Sequence, residues 1–161
     1  MAYKRIKLLL LLTFGTGIAA AQLVTQDPDW KESDAPAPPP FSQTKLIPLH
    51  MPPYVSLKFG IDPKTLSITP DGIARYVVVA TNASGSMTAM YEGIRCATGE
   101  VKTYARFNSV GEWDPVKEPK WLDWAGKQPS KHALVLARQG LCDGASTTGQ
   151  SVADMVKALK K

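Results

Sequence analysis

Glu92 is the residue whose position most strongly suggests chemistry, because it places an acidic side chain within an apolar run. It lies in Met-Tyr-Glu-Gly-Ile-Arg, residues 90–95, where alternating side chains predict a strand with Glu92 on its buried face. A buried carboxylate needs a partner, because an unpaired buried charge is costly. Arg75 is its diagonal neighbour in the expected strand pairing, so we interpret Arg75 and Glu92 as a candidate buried ion pair.

A catalytic acid is the alternative interpretation of Glu92, since burial raises the pKa of a carboxyl group. A glycosidase-type reaction would need a second carboxylate beside it, and the sequence pairs none with it. The chain has no G-x-S-x-G nucleophile turn and no phosphate-binding glycine loop, and His50 and His132 lack the spacing of zinc ligands. We therefore assign no catalytic residue, no metal and no cofactor, and we favour a protein that is not an enzyme.

A second group of side chains combines aromatic rings with cations on the face opposite Glu92 in the expected register. Such combinations bind anionic or sugar-like ligands, although they also pair with each other through cation–π contacts. The sequence therefore predicts a candidate binding face for such a ligand or for an unidentified envelope protein, formed by Tyr76, Tyr91, Tyr104, Arg95, Lys102 and Arg106.

That register follows from two turns of the expected antiparallel sheet. A two-residue turn at Thr98-Gly99 places Ala105 opposite Glu92, and a four-residue loop over 83–86 places Val77 opposite Glu92. The face that carries Glu92 then also collects a set of apolar residues and is the predicted core face: Val77, Val79, Met90, Ile94, Val101 and Phe107.

The N-terminal residues 1–21 have the pattern of a signal peptide. Basic residues precede the apolar run Leu8–Leu12, and Ala19-Ala20-Ala21 is typical of a cleavage site. The apolar run is shorter than the roughly 20 residues that span a membrane, so we expect no transmembrane anchor after cleavage. Without the three basic residues of this segment, the formal net charge of the 161-residue chain falls from +5 to +2. A near-neutral exported protein has no basic surplus that would favour nucleic acid as a partner.

Cys96 and Cys142 are the only cysteines, and both lie in the part of the chain that we expect to be exported. An even number of cysteines in an oxidising compartment favours a disulfide. A cysteine nucleophile or a metal-binding pair is the alternative, but the chain has no C-x-x-C spacing to support it.

The rest of the chain predicts a proline-rich arm followed by one domain. Residues 22–44 are rich in proline and should form an extended arm, either a spacer or a segment that recognises a partner. Residues 45–161 predict a single α+β domain with an antiparallel sheet of five or six strands and two helices. The C-terminal helix carries an apolar stripe from Val152 to Leu159, whereas residues 131–141 fit either a helix or a strand.

The segment Tyr91-Glu92-Gly93-Ile94-Arg95-Cys96, followed by Gly99-Glu100 and Tyr104-Ala105, resembles the cryptic neisserial protein 1 family of exported bacterial proteins. The resemblance extends from about Trp30 to the C-terminal helix. It implies a periplasmic or secreted protein of a Gram-negative bacterium, and it implies no particular activity. We therefore expect a non-enzymatic binding or interaction module of the cell envelope; the alternative is a small envelope hydrolase that uses a buried carboxylate such as Glu92.

Overall fold

The computed structural model describes residues 28–161, so the predicted signal peptide 1–21 lies outside the described residues. In this range an antiparallel sheet of eight strands, a separate two-stranded ribbon and two helices confirm the α+β class. The strands are β1 (Ile47–Pro48), β2 (Lys58–Ile61), β3 (Ser67–Ile68), β4 (Ile73–Thr81), β5 (Met87–Arg95), β6 (Glu100–Phe107), β7 (Trp113–Pro115), β8 (Leu122–Asp123), β9 (Cys142–Asp143) and β10 (Ser146–Thr147). The helices are α1 (His132–Leu136) and α2 (Val152–Leu159).

The sheet is built around three long neighbouring strands, β4, β5 and β6. Its main order is β1-β2-β4-β5-β6-β7, with β3 also paired to β4 and β8 also paired to β6. The two strands beyond the expected six, β7 and β8, are short pairings of three and two residues. Both lie in the segment rich in tryptophan and proline after β6.

The centre of the sheet is buried on both faces. Every residue of Ile73–Ala80 in β4 is buried, which agrees with its unbroken run of three valines at 77–79. On one face, α1 and α2 pack over Tyr76, Val78 and Ile94. On the other face, Phe41 and Trp113 pack over Val77 and Val79. We refer to these as the helix side and the arm side of the sheet.

The helical layer settles the two interpretations of residues 131–141 in favour of a helix. α1 continues into a wider helical turn at Ala137–Leu141, within which Gly140 adopts a φ of 137°. A side chain there would also meet Ala158 of α2, whose Cβ lies 3.0 Å from the position of an added Cβ. Glycine therefore allows α2 to pack closely against this turn.

The C-terminal helix and the disulfide agree with the sequence. α2 begins after Ser151, whose hydroxyl accepts a hydrogen bond from the Asp154 amide at 3.2 Å. Cys96 and Cys142 form a disulfide that joins the end of β5 to the start of β9. Among residues 28–161, no helix is long and apolar enough to cross a membrane.

The pairing of β4 with β5 differs by one residue from the expected register. Thr81 pairs with Met87, so residues 82–86 form the loop and Tyr76, rather than Val77, lies opposite Glu92. A shift of one residue exchanges the two faces of a strand. Tyr76 and Val78 therefore lie on the face of Glu92. The prediction that Val77, Val79 and Phe107 share that face was wrong, because these three pack on the arm side.

The pairing of β5 with β6 also differs from the expected one. Arg95 pairs with Glu100, so the turn is longer than Thr98-Gly99 alone, and Glu92 lies opposite Thr103 rather than Ala105. A bulge then shifts the register between Tyr91 and Glu92. Because of this bulge, Arg106 pairs with Met90 at the far end of the strands.

Candidate functional site

Glu92 is almost fully buried on the helix side, where three side chains donate hydrogen bonds to its carboxylate. His132 Nε2 lies 2.7 Å from Oε2, and the Tyr76 hydroxyl lies 3.1 Å from the same oxygen. The Thr103 hydroxyl donates to Oε1 at 2.9 Å. Strands β4, β5 and β6 and helix α1 each contribute one residue to this cluster, so the fold itself assembles it.

His132 begins α1 and is held in one orientation from both sides. Its ring stacks on Phe59 with centroids 5.2 Å apart and an interplanar angle of 6°. Its Nδ1 lies 2.5 Å from the Ser130 hydroxyl. Because the Glu92 carboxylate only accepts hydrogen bonds, Nε2 carries a proton, and a neutral imidazole would accept from Ser130 at Nδ1.

The environment of Glu92 keeps its carboxyl group ionised. Burial raises the pKa of Glu92, but the nearby His132 and the hydrogen bonds from His132, Thr103 and Tyr76 outweigh it, so the pKa lies below its ordinary value. Burial, together with the neighbouring charge of Glu92, raises the pKa of Tyr76 well above its usual range. The Tyr76 hydroxyl therefore stays protonated and remains a donor.

A cleft of about 220 Å³, which we call the helix-side cleft, opens onto this cluster. Its inner end holds Glu92, His132, Ser130 and Thr103, and Arg106 stands at its rim. Most of the remaining wall is apolar, and two exposed leucines, Leu57 and Leu122, line it as well. The apolar walls are formed by Leu57, Phe59, Ala80, Met90, Val101, Leu122, Pro129 and Ala133.

The structure does not bring Arg75 and Glu92 together, so the ion pair expected from the sequence is replaced by other contacts. The one-residue shift places Arg75 on the arm side, opposite Gly93. There its guanidinium donates to the main-chain oxygens of Ser33 at 2.6 Å and Asp34 at 3.2 Å. Glu92 has His132 as its basic neighbour instead.

The six residues of the predicted binding face are divided between the two sides of the sheet. Tyr91, Tyr104, Lys102 and Arg95 contact one another or the arm on the arm side. Tyr76 lies in the Glu92 cluster, and the exposed Arg106 lies at the cleft, with Nη1 3.1 Å from the Met90 sulfur. The same shift in strand register that separates Arg75 from Glu92 also moves Tyr76 to the helix side.

The arm covers the four residues that remain on the arm side. Glu32 accepts hydrogen bonds from Lys102 Nζ at 2.6 Å, the Tyr104 hydroxyl at 2.9 Å and Trp121 Nε1 at 3.0 Å. Trp30 lies over Arg95, with its ring centroid 3.6 Å from the guanidinium carbon. Burial, the largest cause, and the hydrogen bond to Glu32 raise the pKa of Tyr104, so its hydroxyl stays a donor.

Sequence reasoning missed the roles of His132, Ser130 and Glu32. The position of His132 at the start of a helix rich in Val and Leu gives no sign of the strand it faces. Glu32 has a clearer signal, because Trp30, Glu32 and Ser33 interrupt an otherwise proline-rich arm with side chains that form specific contacts. In the described part of the chain, no group of three metal-ligating side chains is close enough to hold an ion.

The fold and these two sites define a small disulfide-bonded α+β protein, in which one sheet lies between a helical layer and an extended arm. Residues 25–160 match the CNP1-like family, and the chain belongs to that family. This confirms the resemblance based on the Tyr91–Cys96 segment. No curated protein sequence and no solved structure matches the chain.

Proposed function

We propose that this protein is a periplasmic, non-enzymatic binding module of the bacterial cell envelope that holds a small amphipathic anion in the helix-side cleft. The signal-peptide pattern at 1–21 and the Cys96–Cys142 disulfide support export to an oxidising compartment. The observation that carries the binding function is the cleft itself, which combines apolar walls, a polar end at Glu92 and His132, and a cation at its rim.

The apolar walls determine the size and chemistry of the non-polar part of the ligand. A cavity of about 150 Å³ lined by aliphatic and aromatic side chains can bind benzene. The 220 Å³ of the helix-side cleft therefore suits an aromatic ring or a short acyl chain. Leu57 is 37% exposed and Leu122 is 48% exposed, so both offer apolar surface that a ligand would cover.

The polar groups of the cleft set the position of the anionic group. Glu92 already accepts hydrogen bonds on both carboxylate oxygens, and a ligand anion close to it would be repelled. Arg106 is exposed at the rim, and within the described residues its guanidinium makes one hydrogen bond, to the weakly accepting sulfur of Met90. The ligand therefore enters with its apolar end first, and its anion pairs with Arg106 at the surface.

A titration with 1-anilinonaphthalene-8-sulfonate tests this function, because the probe combines fused rings with one anionic group. We expect saturable fluorescence enhancement by the natively folded protein and about fivefold weaker binding by Arg106→Gln, the size of effect typical of one exposed charge pair. Leu122→Asp should weaken binding further by repelling the sulfonate. Arg138→Gln, at an exposed arginine outside the cleft lining, is the matched control; an equal loss in this variant would contradict the proposed site.

A hydrolase is the second candidate, favoured by one observation. Ser130, His132 and Glu92 form a hydrogen-bonded row at the cleft, with 2.5 Å and 2.7 Å between successive polar atoms. A serine activated by an imidazole and a carboxylate is the arrangement of acyl-transfer enzymes. Covalent labelling by a fluorophosphonate probe that is lost in Ser130→Ala would favour this candidate over a binding module, and unlabelled native protein would count against it.

A further inference from the structure

The carboxylate of Glu32 occupies a preformed anion site on the arm side of the sheet. Three donors from two separate segments converge on it: Lys102 and Tyr104 from β6, and Trp121 from the loop before β8. The side chains of Lys102 and Glu32 are only 14% and 18% exposed, so their contact is largely removed from water. Such charge-assisted hydrogen bonds are stronger than neutral ones.

A second contact fixes an aromatic side chain beside this carboxylate. The indole of Trp30 lies over the Arg95 guanidinium and meets the Trp121 ring edge-on, with centroids 6.2 Å apart. Its Nε1 donates to the main-chain oxygen of Asp71 at 2.9 Å. A segment with a tryptophan two residues before a glutamate therefore makes more contacts at this site than a segment with the acidic residue alone.

A third contact uses the main chain of the arm. Arg75 is 3% exposed and donates to the carbonyl oxygens of Ser33 and Asp34. Its Nε has no hydrogen-bond partner within the described residues, although the atom is buried. Its bound groups are main-chain carbonyls, which any peptide of this length would also supply.

These contacts hold residues 30–34 in the way that a receptor holds a peptide. The hydrogen bonds that link this segment to the domain all involve at least one side chain, so the segment does not extend the strand ladder of the sheet. The proline-rich segment 35–40 follows it and joins it to the domain as a semi-rigid spacer. Displacement of 30–34 would therefore leave the strand pairing intact.

We propose that Arg75, Arg95, Lys102, Tyr104 and Trp121 form a receptor site for an acidic, tryptophan-containing peptide segment of a partner protein. The chain's own residues 30–34 are the resident occupant, which the partner displaces. Charge complementarity supports this partner, because the occupant Trp-Lys-Glu-Ser-Asp carries more acidic than basic residues, and the site presents three cations against one carboxylate, that of Asp71, which accepts from the Ser33 amide at 2.7 Å. This proposal is independent of any ligand in the helix-side cleft.

The tether sets how strongly a partner must bind. A segment joined by a short linker competes at an effective concentration on the order of 1 mM. A free peptide of the same sequence should therefore bind the unaltered protein weakly, and it should bind more tightly when the resident segment can no longer compete.

Fluorescence anisotropy with a labelled synthetic peptide of residues 27–34, Asp-Pro-Asp-Trp-Lys-Glu-Ser-Asp, tests the site in the full chain. The variant Trp30→Ala with Glu32→Gln disables the occupant and leaves the five receptor residues in place. We expect at least tenfold tighter peptide binding by this variant than by the unaltered protein, and loss of that gain when Lys102→Gln is added. If the double variant folds poorly, Glu32→Gln alone serves as a milder way to weaken the binding of residues 30–34 to the site.

Two controls make the result specific to the proposed partner chemistry. A peptide in which the tryptophan is replaced by alanine and the glutamate by glutamine should not bind, and Arg138→Gln should leave peptide binding unchanged. Equal binding of both peptides, or no gain in the released variants, would overturn the proposal. A dimer of the unaltered protein that the peptide dissociates would also overturn it, because the occupant would then be the arm of a second copy.

Discussion

Each face of the sheet holds a hydrogen-bonded carboxylate, but the two carboxylates come from different parts of the chain. Glu92 on the helix side is held by three residues of the folded domain and is 2% exposed. Glu32 on the arm side is also held by three donors, but it belongs to a segment without regular secondary structure. Similar chemistry therefore forms a fixed part of the core on one face and a removable contact on the other.

The difference lies in what must move to break each contact. Separation of Glu92 from His132 requires α1 to leave the sheet, together with the core residues that pack beneath it. Separation of Glu32 from Lys102 requires only the arm to lift. The helix side should therefore contribute more to the free energy of unfolding, and the arm side should open without global unfolding.

The largest expected effect is that of His132→Ala. It leaves the buried Glu92 carboxylate without its basic neighbour, and removal of one partner from a buried pair costs about 3–5 kcal/mol. Urea denaturation should show this loss of unfolding free energy, against about 1 kcal/mol for Glu32→Gln on the arm side. Equal losses in the two variants would remove the contrast between the faces.

An intermediate effect is expected for Gly93→Ala, which adds a methyl group beneath the arm-side contacts. The new Cβ would lie 2.7 Å from the Tyr104 hydroxyl oxygen and 2.8 Å from Ile73 Cγ2, so one of them must shift. Overpacking of this kind costs about 1–3 kcal/mol, and the shift of Tyr104 should weaken its hydrogen bond to Glu32.

The matched control for this prediction is the double variant with Tyr104→Phe, which removes the closest atom. Chemical denaturation should show that the two substitutions together cost less than the sum of the single ones. Strict additivity would contradict the close approach of Tyr104 to Gly93.

The smallest expected effect is a change in the pH dependence of stability, measured as a slope rather than as a loss of stability at one pH, in Glu92→Gln. Because the folded-state pKa of Glu92 lies below its ordinary value, its stabilisation is fully present above that ordinary value and is lost as the pH falls through the folded pKa. Thermal unfolding followed from pH 6 to pH 3 should show a shallower loss of stability in the variant. Glu118→Gln, at an exposed acid, should keep the slope of the unaltered protein.

The elements of the fold could be predicted from the sequence because their signals are local. The apolar stripe from Val152 to Leu159 defines α2, and the valines at 77–79 mark a central strand. Burial of Glu92 could also be predicted, since Glu92 lies two residues before Ile94 and so shares its face of the strand.

The partners of Glu92 could not be predicted, because they depend on strand register and on contacts between residues distant in sequence. The loop at 82–86 is one residue longer than expected, and that single residue moves Tyr76 to Glu92 and Arg75 to the arm side. His132 lies 40 residues from Glu92 and reaches it only through the packing of α1. The arm side shows the same limit, since nothing local to Trp30 indicates that Arg95 lies beneath it.

The disulfide and the His132–Glu92 contact both link the stretch of chain that carries α1 to the region of β5. The disulfide joins residues 46 apart, and the imidazole–carboxylate contact joins residues 40 apart in an overlapping stretch of chain. The two loops, 96–142 and 92–132, overlap, and neither lies wholly within the other. Acid that protonates Glu92 weakens the imidazole–carboxylate contact and leaves the disulfide, whereas a reductant opens the disulfide and leaves that contact. After either treatment alone, the stretch of chain that carries α1 is still joined to the region of β5 at one point.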